Sequence, residues 1–347
     1  MEDGRHYATL DGVRGFAALS VVLFHIGHWL GSPLAPNSGL AVDLFFLLSG
    51  YVLTLAYQYR LATTMSARRF TVIRIIRLMP LVVLATLISA AYAIVRIHVK
   101  HEDVAVSAMV FATLLGILNI PYLTAPLPIG GNQIFPLNGP QYSLFLEIVC
   151  NTVWAAFGRM SRLIPAALGA AVCFVVLAAA GGLGGDTPGT FLAGFPRVGA
   201  SFLGGVALYH VERALPMWRG WTAVFWGCAL VMVALFYFPS ALPFGVQLAW
   251  VGLASPLLVL SGARTPLHGR ARAFALLAGK LSYPIYVLHY PMFTWINGLF
   301  QGVTHRQNIV IEGAMLVVTV VMGSIVILQF YDEPVRRKLS SLLYSRR

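Results

Sequence analysis

The chain has 347 residues, 58% hydrophobic and only 10% charged, with a mean hydropathy of +0.78 and a formal net charge of +12. A soluble domain carries about 25% charged residues, so this chain has too few to cover a water-facing surface of its size. The positive charge does not read as a nucleic-acid footprint, because the Lys and Arg residues sit in small clusters between apolar runs, as the positive-inside rule produces.

The apolar runs have the length of membrane helices, since about 20 residues rising 1.5 Å each cross a ~30 Å hydrocarbon core. Eleven segments follow in order, at approximately 8–30, 38–59, 78–96, 104–120, 141–158, 163–181, 195–211, 219–238, 245–262, 277–299 and 309–330. The predicted fold is all-α, a polytopic integral membrane bundle in a single domain over 1–347 with no added soluble domain. Basic clusters lie at Arg60 to Arg77, Arg159/Arg162, Arg213/Arg219, Arg264 to Arg272 and Arg336 to Arg347. With the N-terminus inside, eleven crossings would place four of them outside. If one segment between 78 and 158 does not cross, all fall inside. The expectation is ten crossings, both termini cytoplasmic, and one re-entrant or interfacial segment in that window. No cleavable signal peptide is evident. No convincing internal repeat is found, which weakens an inverted-repeat transporter reading.

Charges within apolar segments are costly, so each asks for a partner or a role. In the first segment these are Arg14 and His25, with His28 close by. Eleven steps of about 100° bring Arg14 and His25 onto one face, roughly 16 Å apart along the axis. Asp11 and Ala18 share that face, and Trp29 lies near it. The helix offers a cation near its cytoplasmic end and an imidazole deeper in, a geometry that suits a long substrate with an anionic head. A snorkelling arginine and a histidine hydrogen-bonded within the bundle are the alternatives. Asp43 opens the second segment near its positive dipole end, and Ser49-Gly50 reads as a close-packing site.

"RRFTVIRIIRLMP", Arg68 to Pro80, places Arg74 and Arg77 at i and i+3 with Arg69 ahead of them. It reads either as an interfacial helix with snorkelling arginines or as an anion clamp gripping phosphate oxygens. Glu147 lies in "LNGPQYSLFLEIVCNTVW", about a turn beyond Gln141, Tyr142 and Ser143. Its carboxylate can orient or charge-balance a histidine, or pair with Arg14 or another buried arginine. Arg197, His210 and Glu312 are further polar residues in apolar surroundings. "KLSYPIYVLHYP" carries Tyr283, Tyr286 and His289, and its two prolines, Pro284 and Pro291, predict a kink.

Other chemistries find little support. Cys150, Cys173 and Cys228 lie in apolar runs without CxxC or His/Cys ligand spacing, against a disulfide framework or metal site. The His6/Asp11 spacing matches a glycerolipid acyltransferase motif, but its partner sequences are missing and we read it as chance. There is no G-x-S-x-G elbow, HExxH or P-loop.

Taken together, "LDGVRGFAALSVVLFH" with Arg14 and His25, "VDLFFLLSGYVLT", "RRFTVIRIIRLMP" with Arg74 and Arg77, "PLNGPQYSLFLEIVCN" with Glu147, "LAGKLSYPIYVLHYP" and "YDEPVRRKL" resemble the ordered motifs of the membrane-bound acyltransferase 3 family of carbohydrate O-acyltransferases. Tyr142 stands where that family commonly has a tryptophan. The resemblance covers residues 10 to about 338. It implies transfer of an acyl group, most often acetyl, from acetyl-CoA or another acyl-CoA to a hydroxyl of a cell-envelope or exported carbohydrate, or of a lipid-linked glycan. The bilayer would be a bacterial cytoplasmic (inner) membrane; neither a metal nor nucleic acid is implied.

In that reading His25, Glu147 and Arg14 are the catalytic set. His25 is general base, Glu147 steadies it, and an acyl-histidine is the variant route. Arg74, Arg77, Arg69 and Arg14 bind the donor phosphates. Asp43, Gln141, Tyr142, His289 and Tyr286 are candidate substrate contacts. A proton-coupled transporter or flippase of a lipid-linked sugar is the main rival, and a helical scaffold the lesser one.

Overall fold

The computed structural model describes residues 7–157 and 162–345. His6, Arg159, Arg346 and Arg347 therefore lie outside the described residues. Among the described residues all regular structure is helical, as a bilayer demands of a chain that must satisfy its backbone internally.

In chain order the helices are α1 (Ala8–Trp29), α2 (Ala41–Thr63), α3 (Ala67–Lys100), α4 (Val106–Leu118), α5 (Gln141–Ala156), α6 (Leu163–Ala180), α7 (Gly194–Ala214), α8 (Trp221–Phe236), α9 (Phe244–Ala249), α10 (Ser255–Ala263), α11 (Gly269–Thr304), α12 (Ile309–Ile327) and α13 (Glu333–Ser345). π-helical turns at Trp250–Ala254 and Leu328–Asp332 join α9 to α10 and α12 to α13. Each of the eleven predicted apolar segments falls on a helix.

The chain is a polytopic helical membrane protein. Among the described residues seven helical segments are long and apolar enough to cross a membrane: Ala8–Trp29, Ser38–Thr63, Ala67–Val99, Leu163–Ala180, Pro188–Ala214, Phe244–Ala263 and Ile309–Leu343. Val106–Leu118 and Trp221–Phe236 are shorter apolar helices. The difference from ten has a physical basis. α5 and α11 are diluted by polar and charged residues, and α4 and α8 are short. At 13 residues, α4 rises only about 20 Å, well under a ~30 Å hydrocarbon core. It is the shortest helix in the window where the charge pattern calls for a segment that does not cross.

Backbone packing divides the chain into two compact units, neither contiguous in sequence. The first comprises Met1–Tyr59, Arg159–Gly182 and Pro196–Tyr283. Small residues let its helices approach closely. Gly12 and Gly15 of α1 face Ala275 and Ala278 of α11, and Gly279 lies against the Asp11 side chain. A Cβ at Gly50 of α2 would strike the Phe202 carbonyl of α7, and one at Gly205 of α7 would strike the Leu47 carbonyl of α2. The Ser49-Gly50 pair is thus a packing site, as its composition predicts. α8 packs on α10. Asn37, in the turn before α2, donates to the Phe238 and Ser240 carbonyls at 3.0 and 2.9 Å and accepts from the Leu242 amide at 3.1 Å, tying two loops together.

The second unit comprises Arg60–Gly158, Leu183–Phe195 and Pro284–Arg347. Its central element is α3, which packs against α4, α5 and α13. The arginine-rich stretch and the third apolar segment, separate in the sequence reading, form one 34-residue helix, with Pro80 inside it. At about 50 Å this helix exceeds the hydrocarbon core, so its basic N-terminal turns extend beyond the apolar segment. Ser66 caps it, its hydroxyl accepting from the Arg69 amide at 3.3 Å. Ala90, Ala93, Met109, Ala112, Ile129 and Leu137 form a small core between α3, α4 and the loop that follows. Glu312 belongs to an N-terminal cap of α12: its carboxylate accepts from the Asn308 amide at 2.8 Å, while the Asn308 side chain accepts from Val310 and Ile311.

Candidate active site

On α1, Arg14 pairs with Asp11 one turn earlier at 3.7 Å. His25 is half-buried. Its ring stacks on Trp29 with centroids 5.0 Å apart and planes 27° apart, and meets Phe24 edge-on at 5.0 Å. The helical face deduced from spacing, with His25 beside Trp29, is therefore present, while His28 is exposed.

In the second unit, α3 and α5 meet along an antiparallel seam. Arg74 Nη2 donates to Glu147 Oε1 at 2.7 Å, and one turn away Thr71 Oγ1 donates to Thr152 Oγ1 at 3.3 Å. Arg74 is 8% exposed. Of the two roles read for Glu147 from the sequence, this contact is the pairing with a buried arginine. Arg77 shares the i, i+3 side of α3 but is exposed and lies within electrostatic reach of Asp332. Asp332 also pairs with Arg336 at 2.8 Å, and Tyr331 donates to the Pro80 carbonyl at 3.2 Å. Arg74 is thus paired with Glu147, and Arg77 lies near Asp332. Arg69 is half-buried in the first turn of α3.

The candidate substrate contacts of α5 and α11 fall in one buried polar cluster. Gln141 is 2% exposed, donates to the Gly116 carbonyl at 2.7 Å and to Asn119 Oδ1 at 3.1 Å, and accepts from Thr86 at 3.5 Å. Asn119 ends α4 in the left-handed region, φ 55°. Ser143 Oγ and the Tyr286 hydroxyl lie 2.8 Å apart, and Tyr286 also donates to the Pro140 carbonyl at 3.3 Å. Pro291 cannot donate to Val287, and the Asn138 amide donates to that carbonyl instead, at 3.4 Å. His289 is fully buried and its Nδ1 donates to the Tyr286 carbonyl at 2.7 Å. Tyr142 is also buried. A small pocket of about 10 Å³, room for about one water, lies beside this cluster, lined by Gly116, Tyr122, Asn138 and Gln141 among others.

Asp43 takes a different place. It is 0% exposed, and Arg197, itself 4% exposed, grips it in a fork: Nε to Oδ1 and Nη2 to Oδ2, both at 2.8 Å. Arg197 also reaches the Gly39 carbonyl at 3.3 Å. Both residues stand out in sequence as buried charges, but about 150 residues separate them, and no local spacing links them. In sequence Arg264 is only part of a basic cluster. Its guanidinium closes the C-terminal end of α7, donating to the carbonyls of Glu212, Leu215 and Pro216 and pairing with the Glu212 carboxylate at 3.3 Å.

The acyltransferase domain model of the acyltransferase 3 family matches residues 7–329, and the chain belongs to that family. Among relatives, "Protein 2 in picA locus" of Rhizobium radiobacter is 38% identical over 180 residues, 49% of this chain and 92% of that protein. "Putative O-acetyltransferase SACOL0978" of Staphylococcus aureus (strain COL) is 31% identical over 109 residues, 29% of this chain and 17% of that protein. "Putative peptidoglycan O-acetyltransferase YrhL" of Bacillus subtilis (strain 168) is 40% identical over 79 residues, 22% of this chain and 12% of that protein. The alignments to the two named O-acetyltransferases thus span less than a fifth of those proteins. No solved structure matches.

Proposed function

We propose that the chain is an O-acyltransferase that moves an acyl group, acetyl in the first instance, from acyl-CoA at the cytoplasmic face of a bacterial inner membrane to a hydroxyl of a cell-envelope or exported carbohydrate, or of its lipid-linked precursor. The observation that carries this reading is the acyltransferase match over residues 7–329, which takes in His25, the α3 arginines and Glu147. The names of the two O-acetyltransferase relatives support acetyl as the group, and one of them, a peptidoglycan O-acetyltransferase by name, supports a glycan as the acceptor.

In this reading His25 takes the proton of the acceptor hydroxyl as its oxygen attacks the thioester carbonyl. The C–S bond breaks, and the leaving CoA thiolate takes the proton back from the imidazolium. An acyl-histidine route reaches the same products in two steps. Arg77 and Arg69, at the basic end of α3, bind donor phosphates with Arg14 assisting, while Glu147 fixes Arg74. Gln141, Tyr142, Tyr286 and His289 shape the acceptor side. Asp43 supports the site by holding Arg197 rather than by touching substrate.

Mass spectrometry of the envelope glycan from cells with and without the gene tests the reading. Loss of ester-linked acyl groups on deletion, restored by the wild-type gene and not by His25→Ala, is the expected result. Unchanged acylation on deletion would remove it.

A further inference from the structure

Asn151 stands four residues beyond Glu147 on α5, on the same side of the helix. It is 1% exposed, and neither Oδ1 nor Nδ2 has a hydrogen-bond partner among the described residues. On the same helix Gln141, Ser143 and Glu147 are each hydrogen-bonded within the protein. A buried carboxamide with donor and acceptor both unmet is unfavourable in water-soluble proteins and more so in a bilayer. Such a group is retained where something polar occupies it.

Its position indicates what. Along the antiparallel α3–α5 seam, Thr71 meets Thr152 and Arg74 meets Glu147. Asn151 is thus set one step nearer than Glu147 to the basic end of α3, where Arg68 and Arg69 begin the helix. A ligand gripped there by its phosphates would extend its next portion toward Asn151. One acceptor and one donor on a rigidly buried amide match the N–H and C=O of a secondary amide. Resting on the donor assignment above, we infer that Asn151 binds an amide of a pantetheine-type arm, fixing the depth to which the thioester reaches.

The test uses the full-length protein in detergent with acetyl-CoA as donor and two competitors: pantetheine, which has the amides and no phosphates, and an adenosine bisphosphate, which has phosphates and no amide. Asn151→Leu removes both polar groups at nearly constant shape, so folding is held or improved. Asn151→Ala serves if leucine unsettles the fold, as read by the thermal midpoint. The variant should raise KM for acetyl-CoA about tenfold, the loss of one good hydrogen bond, and weaken pantetheine inhibition equally. Inhibition by the adenosine bisphosphate should stay unchanged. Equal effects on both competitors, no effect on either, or failure of pantetheine to compete in the wild type would each overturn the inference, leaving Asn151 to hold an internal water or only to pack. Absence of acetyl-CoA turnover in the wild type would instead overturn the acyl-transfer reading itself.

Discussion

Replacing His25 with alanine is expected to lower kcat for acyl transfer about 10²–10⁴-fold, the range a positioned general base supplies, while the protein stays folded. The ring is half-buried, and its ring contacts with Phe24 and Trp29 lie within α1. α1 is held by other residues: Ala17 and Ala18 are fully buried and Ile26 is 1% exposed, and Gly12 and Gly15 sit close against α11. Thermal unfolding and single-turnover transfer, measured on the same preparation, separate the two effects. Trp29→Phe keeps an aromatic face under the imidazole and should retain most of the rate. A folded His25→Ala protein with normal turnover would remove His25 from the chemistry and return it to the bundle-packing alternative.

The largest effect on stability is expected at Asp43 and Arg197. Both are nearly inaccessible, and two 2.8 Å contacts join them. Removing one partner strands the other's charge away from water, which costs about 3–5 kcal/mol. Asp43→Ala should therefore melt far below the wild type in detergent, and Arg197→Ala should do likewise. Asp43→Leu combined with Arg197→Met should recover most of the loss, because replacing a buried ion pair with apolar residues of similar volume is often neutral. If Asp43→Ala melts like the wild type, the fork does not hold α2 to α7. The Arg74–Glu147 pair is partly open, Glu147 having 16% of its side chain exposed, so solvent should soften the same experiment there.

Much of the fold is legible in sequence because membrane helices announce themselves by length and apolarity alone. All eleven segments are helical, and the Ser49-Gly50 packing site follows from residue size. The boundaries of α3 are less legible. Arg68 to Arg77 read as an interfacial helix or an anion clamp, yet the helix runs on past Pro80, which cannot donate its own backbone bond, into the apolar stretch. The pairings are hardest to read. Arg14 with Asp11, and His25 with Trp29, are local contacts that follow from 3.6-residue periodicity. Asp43 with Arg197, Arg74 with Glu147 and Arg264 with the end of α7 depend on which helices become neighbours, which periodicity does not encode. Asn151 is hard to read for a different reason: an asparagine among Cys, Thr and Trp in an apolar helix is unexceptional in sequence, and only its burial and unmet hydrogen bonds single it out.

The rival to acyl transfer is carriage. A proton-coupled transporter or flippase of a lipid-linked sugar also keeps arginine, histidine and carboxylate within its helices, and would move its cargo in response to pH without consuming a thioester. The direct discriminator is the purified protein reconstituted in liposomes with envelope glycan and acetyl-CoA labelled in the acetyl group. The account predicts label in an alkali-labile ester on the glycan, with free CoA released in equal amount and none of either with His25→Ala. Glycan displaced across the bilayer while the acetyl-CoA remains intact would contradict it.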